Sequence, residues 1–267
     1  MSLNITTFAL KRVTMSLQRT FMSVVALLLI ALQAQQFPSL GASSPPIKRP
    51  SPVALGHAIE DGNVTRFSQL LQNGASANAV YEGGMIPGPV LLVAAWKGSL
   101  PIVKLLIKHC ADVNAVSQWG GQSPLMGAAY AKNLEMITLL LQHGANVIYG
   151  GRYSAFRYAA QSADIMQILL DHGASIETSD LDYNLARATG ANAPAAVRWL
   201  LKHGANPNAR DNFMKCSSGM SRQEIEAYRG PTMLTIALYN QKRYTGKTGG
   251  GDAREIIRML RFVGAHE

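Results

Sequence analysis

The sequence predicts an all-α solenoid of about six helix-turn-helix units with short β-turn or hairpin fingers. Three observations carry this expectation. A phrase of paired apolar residues, a short polar step and a glycine recurs along the chain. It is clearest as LLKHGANPNA from Leu200, and returns as LLQNGASANA from Leu70, LIKHCADVNA from Leu106, LLQHGANV from Leu140 and LLDHGASIET from Leu169. A second phrase precedes it at a consistent offset, as SPLMGAA at Ser123–Ala129, SAFRYAA at Ser154–Ala160 and TMLTIAL at Thr232–Leu238. Between the two lies an amphipathic stretch such as LPIVKLLI at Leu100–Ile107. Self-similarity of this kind marks stacked units, none of which buries its apolar face alone.

The first phrase has a physical reading. Its leucines end a helix and face inward, and glycine best accepts the left-handed conformation that follows a helix. The anchors fall at Gly74, Cys110, Gly144, Gly173, Gly204 and, in a worn copy MLRFVGAHE, Gly264. Their spacings are 36, 34, 29, 31 and 60 residues, the last being close to one unit plus an insertion. Weaker copies of the second phrase stand at Val53–Ile59, Pro89–Ala95 and Tyr183–Thr189.

A unit of about 33 residues with two helices, a TPLHxAA-like start and a GADVNA-like end resembles the ankyrin repeat. The resemblance covers residues 53–267. It implies a non-enzymatic protein-binding solenoid that presents its turn tips and first helices on one concave side. Every unit departs at the family's TPLH histidine, which is replaced by Gly56, Leu92, Met126, Arg157, Ala186 or Thr235. That histidine bonds backbone locally, so its loss is expected to touch stability more than fold.

Residues 1–42 differ from the rest. Lys11, Arg12 and Arg19 are basic, no acid appears before Glu60, and Phe21–Leu32 is almost purely apolar. As a helix this run spans about 18 Å, short of the roughly 30 Å of a bilayer core. A basic stretch followed by a short apolar run reads as a secretory signal peptide, cleaved near Ala34 or Ala42, with an uncleaved anchor as the alternative. Met15 offers a second start. Residues 43–52 close a Pro-rich linker; Phe37–Pro52 holds five prolines, each removing a donor and disfavouring helix before it.

The units follow in order. The first has helices near LGHAIEDG and VTRFSQLL; the second carries Trp96 after its paired alanines and Cys110 at the anchor. In the third, Lys132 stands where many ankyrin repeats carry glycine. The fourth is two residues short, so its helices are expected to be trimmed. The fifth starts its second helix at Pro194, where proline is tolerated. The sixth carries insertions near 210–230 and 241–252. Within the first of these, SRQEIEAY at Ser221–Tyr228 has a capping-box pattern and predicts a short extra helix.

Charge and chemistry narrow the function. Of 25 basic and 16 acidic residues, 12 basic and 6 acidic lie in residues 198–267, which hold the whole excess outside the signal region. This reads as a solvated terminal cap, or as a surface for an acidic partner or anionic headgroups. Nucleic acid is not expected. His109, His143, His172 and His203 recur because the unit recurs. Stacked units stand about 10 Å apart, too far for one ion with bonds near 2.1 Å. TGKTGGG at Thr245–Gly251 is not a phosphate loop, because Gln241 occupies the position of its first glycine. Cys110 and Cys216 fall about three units apart, beyond the roughly 7 Å that a disulfide spans. No nucleophile-and-base constellation is visible. The expectation is no enzyme activity, no metal or other cofactor and no small-molecule substrate.

What remains is a binding surface. Aromatics recur near the tips at Tyr81, Trp119, Tyr153, Tyr183 and Phe213, which lie 7, 9, 9, 10 and 9 residues past their anchors. Arg152, Arg157 and Arg187 fall on the same side by this register. Aromatics and arginine dominate binding hot spots, so these eight are the candidate protein-contact residues. The reading is an exported, periplasmic protein that meets the membrane only through its N-terminal segment. The alternative is anchorage in the inner membrane facing the periplasm. Short irregular repeats and a Pro-rich tether are similar to exported bacterial ankyrin-repeat proteins that act as immunity proteins, blocking a secreted toxic effector such as a phospholipase. A periplasmic scaffold for an endogenous enzyme and a secreted effector binding a host protein are the alternatives.

Overall fold

The computed structural model describes residues 49–118, 120–148, 154–211, 230–244 and 250–266. The signal segment, most of the linker, the extra helix at 221–228, Cys216 and the 245–249 loop lie outside the described residues. Twelve helices are seen among the described residues, in six pairs. They are α1 (Pro52–Glu60) with α2 (Val64–Gln72), α3 (Val90–Trp96) with α4 (Leu100–Lys108), and α5 (Pro124–Tyr130) with α6 (Leu134–Gln142). The rest are α7 (Ala155–Tyr158) with α8 (Ala163–Asp171), α9 (Thr178–Gly190) with α10 (Pro194–Lys202), and α11 (Met233–Arg243) with α12 (Gly250–Phe262). Each first helix packs on the first helix of the next pair, and each second helix on the next second helix. Two layers of helices therefore share one apolar core, the helix-turn-helix solenoid that the repeats predict.

Local chemistry sets the helix ends. Side chains of Ser51, Asn63, Ser123, Asn133, Ser154, Ser162 and Thr232 accept a backbone N–H in the first turn of their helices. Each such cap is worth about 0.5–2 kcal/mol. All six anchors have positive φ, from 58° at Cys110 to 91° at Gly204. The residue after each anchor returns its N–H to the carbonyl five positions back, as in Ala75 to Leu70 and Ala205 to Leu200, both at 3.0 Å. This closes each second helix with the same left-handed motif. The turns inside the pairs repeat it at Gly62, Gly98, Lys132 and Asn192, all with positive φ.

Three of these positions hold a residue with a Cβ, namely Asn192 at φ 58°, of a type that tolerates the left-handed region, and Cys110 at φ 58° and Lys132 at φ 53°, which bear the full strain. Cys110→Gly and Lys132→Gly are each expected to raise stability by about 1 kcal/mol, read by urea titration. No gain in either variant would contradict this account of the turns.

The fourth unit is trimmed as its length predicts, but only in its first helix. α7 has four residues and no left-handed turn follows it, whereas α8 keeps nine. The expected 241–252 insertion is shorter than the sequence reading. α11 runs through Arg243, where Gln241, Lys242 and Arg243 are good helix formers with basic charge at the negative helix end. α12 begins at Gly250. In two units the side chain at the missing TPLH histidine makes another local bond: Met126 Sδ accepts the Ser123 N–H at 3.5 Å, and Thr235 Oγ1 meets Thr232 Oγ1 at 3.0 Å.

The units are also tied along their turns. Four residues past its anchor, Asn78 donates Nδ2–H to the Cys110 carbonyl at 3.4 Å and accepts the Asp112 N–H at 2.7 Å. Asn114 does the same to Gly144 and Asn146, and Asn208 to Gly264 and His266. Between the fourth and fifth units Asp182 supplies half of this rung, accepting the Asn206 N–H at 2.7 Å. Short pairings complete the fingers. β1 (Val80–Tyr81) and β2 (Gly88–Pro89) are antiparallel, with Val80 opposite Pro89 and Tyr81 opposite Gly88, and Arg210 bridges to Thr232.

Candidate functional site

Three aromatic side chains from three consecutive first helices meet. Trp96 ends α3 and Tyr130 ends α5; their rings stack at 4.5 Å with 19° between planes. Tyr158 ends α7 and meets Trp96 edge-on at 5.3 Å and Tyr130 at 6.4 Å. The close approach of α3 and α5 depends on Gly127, where a Cβ would come within 2.9 Å of the Trp96 backbone nitrogen. Tyr130 is 54% exposed although it belongs to this cluster. An aromatic surface held rigid by its own stacking loses little side-chain entropy on binding. Lys132, two residues past Tyr130, donates to Gln161 Oε1 at 2.5 Å.

Sequence reasoning missed this cluster. Trp96 and Tyr130 each follow paired alanines, which was a usable signal. Tyr158 precedes its alanines and is brought level with the others by the shortened fourth unit. The eight residues proposed from sequence fare differently. Trp119, Arg152, Tyr153 and Phe213 lie outside the described residues.

Tyr81 is turned inward. It is only 3% exposed, so it anchors the finger rather than offering a contact at its tip. Three glycines make room for its ring: a Cβ at Gly56 would lie 2.2 Å from Tyr81 Cδ2, and one at Gly83 would lie 2.6 Å from its hydroxyl. A Cβ at Gly84 would in turn lie 2.4 Å from Glu60 Oε1 and 3.3 Å from Tyr81 Cε1. Burial, with the Glu60 carboxylate and its hydrogen bond adding to it, pushes the Tyr81 phenol above its ordinary value. A raised tyrosine favours the neutral folded form. Its stabilisation is complete below about pH 10, the unfolded value, and is lost as pH rises through the folded one. Tyr81→Phe is therefore expected to lose less stability between neutral and strongly alkaline pH than the parent chain, followed by urea midpoints across that range. An identical alkaline loss would contradict the buried-phenol assignment.

Arg157 and Tyr183 do come together. Arg157 Nε meets Asp180 Oδ1 at 2.5 Å, and its guanidinium carbon stands 4.7 Å from the Tyr183 ring centroid. Arg187 is exposed on α9, one turn beyond Tyr183. Of these, Arg157 and Asp180 line one wall of a groove of about 480 Å³ between the third and fourth units, with Val147, Ile148, Ser154, Ala174, Ser175 and Glu177 among its other walls.

The recurrent histidines occupy helix ends. His172 and His203 hold the carbonyls of Ile168 and Trp199 through Nδ1 at 2.8 and 2.7 Å, and His203 stacks on Trp199. Among the described residues no group of three His, Cys, Asp or Glu side chains is placed to hold a metal, and no helix is long and apolar enough to cross a membrane. Cys110 is an exposed free thiol.

Comparison with known proteins agrees with this architecture. A family model for three copies of the ankyrin repeat matches residues 55–149 and 91–180, and a single-repeat model matches 185–212. The chain is 29% identical over 193 residues to the B-cell lymphoma 3 protein homolog of Mus musculus, covering 71% of this chain and 37% of that protein. It is 34% identical over 103 residues to ankyrin repeat and SAM domain-containing protein 6 of Rattus norvegicus, covering 38% and 11% of the two chains. It is 32% identical over 116 residues to putative ankyrin repeat protein R598 of Acanthamoeba polyphaga mimivirus, covering 41% and 34%. The chain thus spans between a tenth and two fifths of these relatives' lengths.

Proposed function

This chain belongs to the ankyrin-repeat family, whose repeats are protein–protein interaction modules, and we propose that it binds one protein through its first-helix layer without doing chemistry. The observation that carries this reading is the Trp96–Tyr130–Tyr158 cluster, a preformed aromatic surface on consecutive units with Tyr130 exposed. Arg157, Tyr183 and Arg187 extend it toward the fifth unit, and the tip residues Trp119, Arg152, Tyr153 and Phe213 are proposed to form its rim. A standard interface of about 800 Å² per partner covers such a surface.

The finer reading places this module in the periplasm as an immunity protein that neutralises a secreted toxic effector such as a phospholipase. Support for export comes from the basic and apolar pattern of residues 1–42, and support for an acidic target surface from the basic excess of residues 198–267. Blocking an enzyme requires shape and charge rather than catalytic groups, which fits a solenoid whose polar side chains serve its own turns and junctions.

The test is affinity capture with the full chain from the cell envelope, followed by assay of the captured protein. The expected result is one stoichiometric partner whose hydrolase activity falls to background at one equivalent of this chain. A partner that stays fully active in the complex would replace inhibition with scaffolding. Recovery of no partner, or measurable catalysis by the chain itself, would overturn the reading.

A further inference from the structure

The rungs that tie consecutive turns follow one rule at three junctions and depart from it at two, and among the described residues only at Ile148 are both groups left open. Four residues past the anchor stand Asn78, Asn114, Ile148, Glu177 and Asn208. Each asparagine holds the next unit through two groups, the carbonyl of the next anchor and the N–H two residues beyond it. At the junction of the third and fourth units those groups are the Gly173 carbonyl and the Ser175 N–H. Among the described residues neither has a hydrogen-bond partner. The side chain that would reach them is Ile148, which is 69% exposed instead. Its backbone keeps the turn of the other units: Ile148 N–H donates to Asn146 Oδ1 at 2.9 Å, as Asn114 N–H does to Asp112 Oδ1. Only the carboxamide is missing. The groove of about 480 Å³ opens at this junction, and Ile148 and Ser175 both line it.

We propose that an asparagine or glutamine side chain of a partner polypeptide binds at the border of this groove, beside Ala174 and Ser175, where it completes the missing rung from outside. A carboxamide carries both an N–H donor for the Gly173 carbonyl and an oxygen for the Ser175 N–H. A carboxylate has no donor for the carbonyl, and with Arg157 already paired to Asp180 the unpaired charge lining the groove, among the described residues, is that of Glu177, which disfavours a second negative charge. A hydroxyl is too short to span both groups. Val147, Ile148 and Ala174 offer apolar contact to the residues that flank the amide, and Ser154 and Ser175 supply hydroxyls to its backbone. The proposal rests on the chain being a binding module and names one chemical feature of what it binds.

The test follows the Ser175 backbone amide in the isotopically labelled full chain by NMR, with acetyl-Leu-Asn-Leu-amide as the probe. Acetyl-Leu-Asp-Leu-amide and acetyl-Leu-Leu-Leu-amide serve as controls. The asparagine peptide is expected to give a saturable shift of this amide with at least tenfold tighter apparent binding than either control. Ile148→Asn, which supplies the carboxamide from within, is expected to abolish that shift and to raise the melting temperature. Ile148→Ala, which leaves the rung open, retains the preference for asparagine and shows that loss of the isoleucine is not the cause. Equal shifts from all three peptides, or an asparagine-specific shift that survives in Ile148→Asn, would overturn the proposal. A captured partner that Ile148→Asn binds as tightly as the parent, but that Tyr130→Ala releases, would remove this site and leave the binding module intact.

Discussion

Replacing Phe156 by alanine is expected to cost about 3–5 kcal/mol, the range for deleting a fully buried aromatic ring. Phe156 is 1% exposed and sits in the four-residue α7, where it is the large side chain that fills the core of the fourth unit. Its ring tilts against Trp199 of α10 at 6.1 Å, and its carbonyl accepts Asn184 Nδ2–H of α9 at 2.7 Å. The residue therefore joins the fourth unit to the fifth by packing and by a buried hydrogen bond at once. In a solenoid each unit is stabilised by its neighbours, so the damage is local before it is global. Urea titration reads the total loss, and amide exchange is expected to show α7 and α8 opening before α3 and α4. A loss below 1 kcal/mol, or uniform exchange along the stack, would contradict this account of the fourth unit.

Arg157→Ala is expected to cost about 2–3 kcal/mol, below the 3–5 found when a fully buried pair is broken because water still reaches these groups. The Arg157 and Asp180 side chains are 22% and 12% exposed, respectively, so removing the arginine strands a nearly buried carboxylate. The cation over Tyr183 is lost with it. The penalty comes mostly from the orphaned acid, so the double variant Arg157→Leu, Asp180→Leu is expected to recover most of the stability. A thermodynamic cycle over the two positions separates the pair from its surroundings. Equal losses in the single and double variants would show that the pair itself contributes little and that lost packing explains the effect.

The fold was legible because the residues that end each unit do so for a local reason. Gly74, Gly144, Gly173, Gly204 and Gly264 take the left-handed turn that their place in the phrase requires, and Cys110 takes it against its own preference. The two-residue deletion in the fourth unit was visible as a spacing. That it would shorten α7 and spare α8 was not, since the choice depends on which helix has more core to lose. The site was harder to read. An aromatic at a tip reads the same whether it points out or in, and Tyr81 points in because Gly56, Gly83 and Gly84 vacate the space for its ring. Trp96 and Tyr130 share one place in the phrase and Tyr158 holds another, and the three converge only once α3, α5 and α7 are stacked. The missing rung at Ile148 could be seen as a departure from the repeated asparagine, but its consequence depends on what lies across the junction.

The central claim is that the first-helix aromatic cluster is the binding surface. Calorimetric titration of the captured partner into the full chain and into its Tyr130→Ala variant tests it most directly. Tyr130 is 54% exposed, so the substitution leaves the core intact, and an unchanged circular dichroism melt verifies this. The predicted result is a loss of at least about 2 kcal/mol of binding free energy, the mark of a hot spot, with Trp96→Ala losing as much or more. Affinity unchanged in a folded Tyr130→Ala variant would contradict the account and move the interface to another face of the stack.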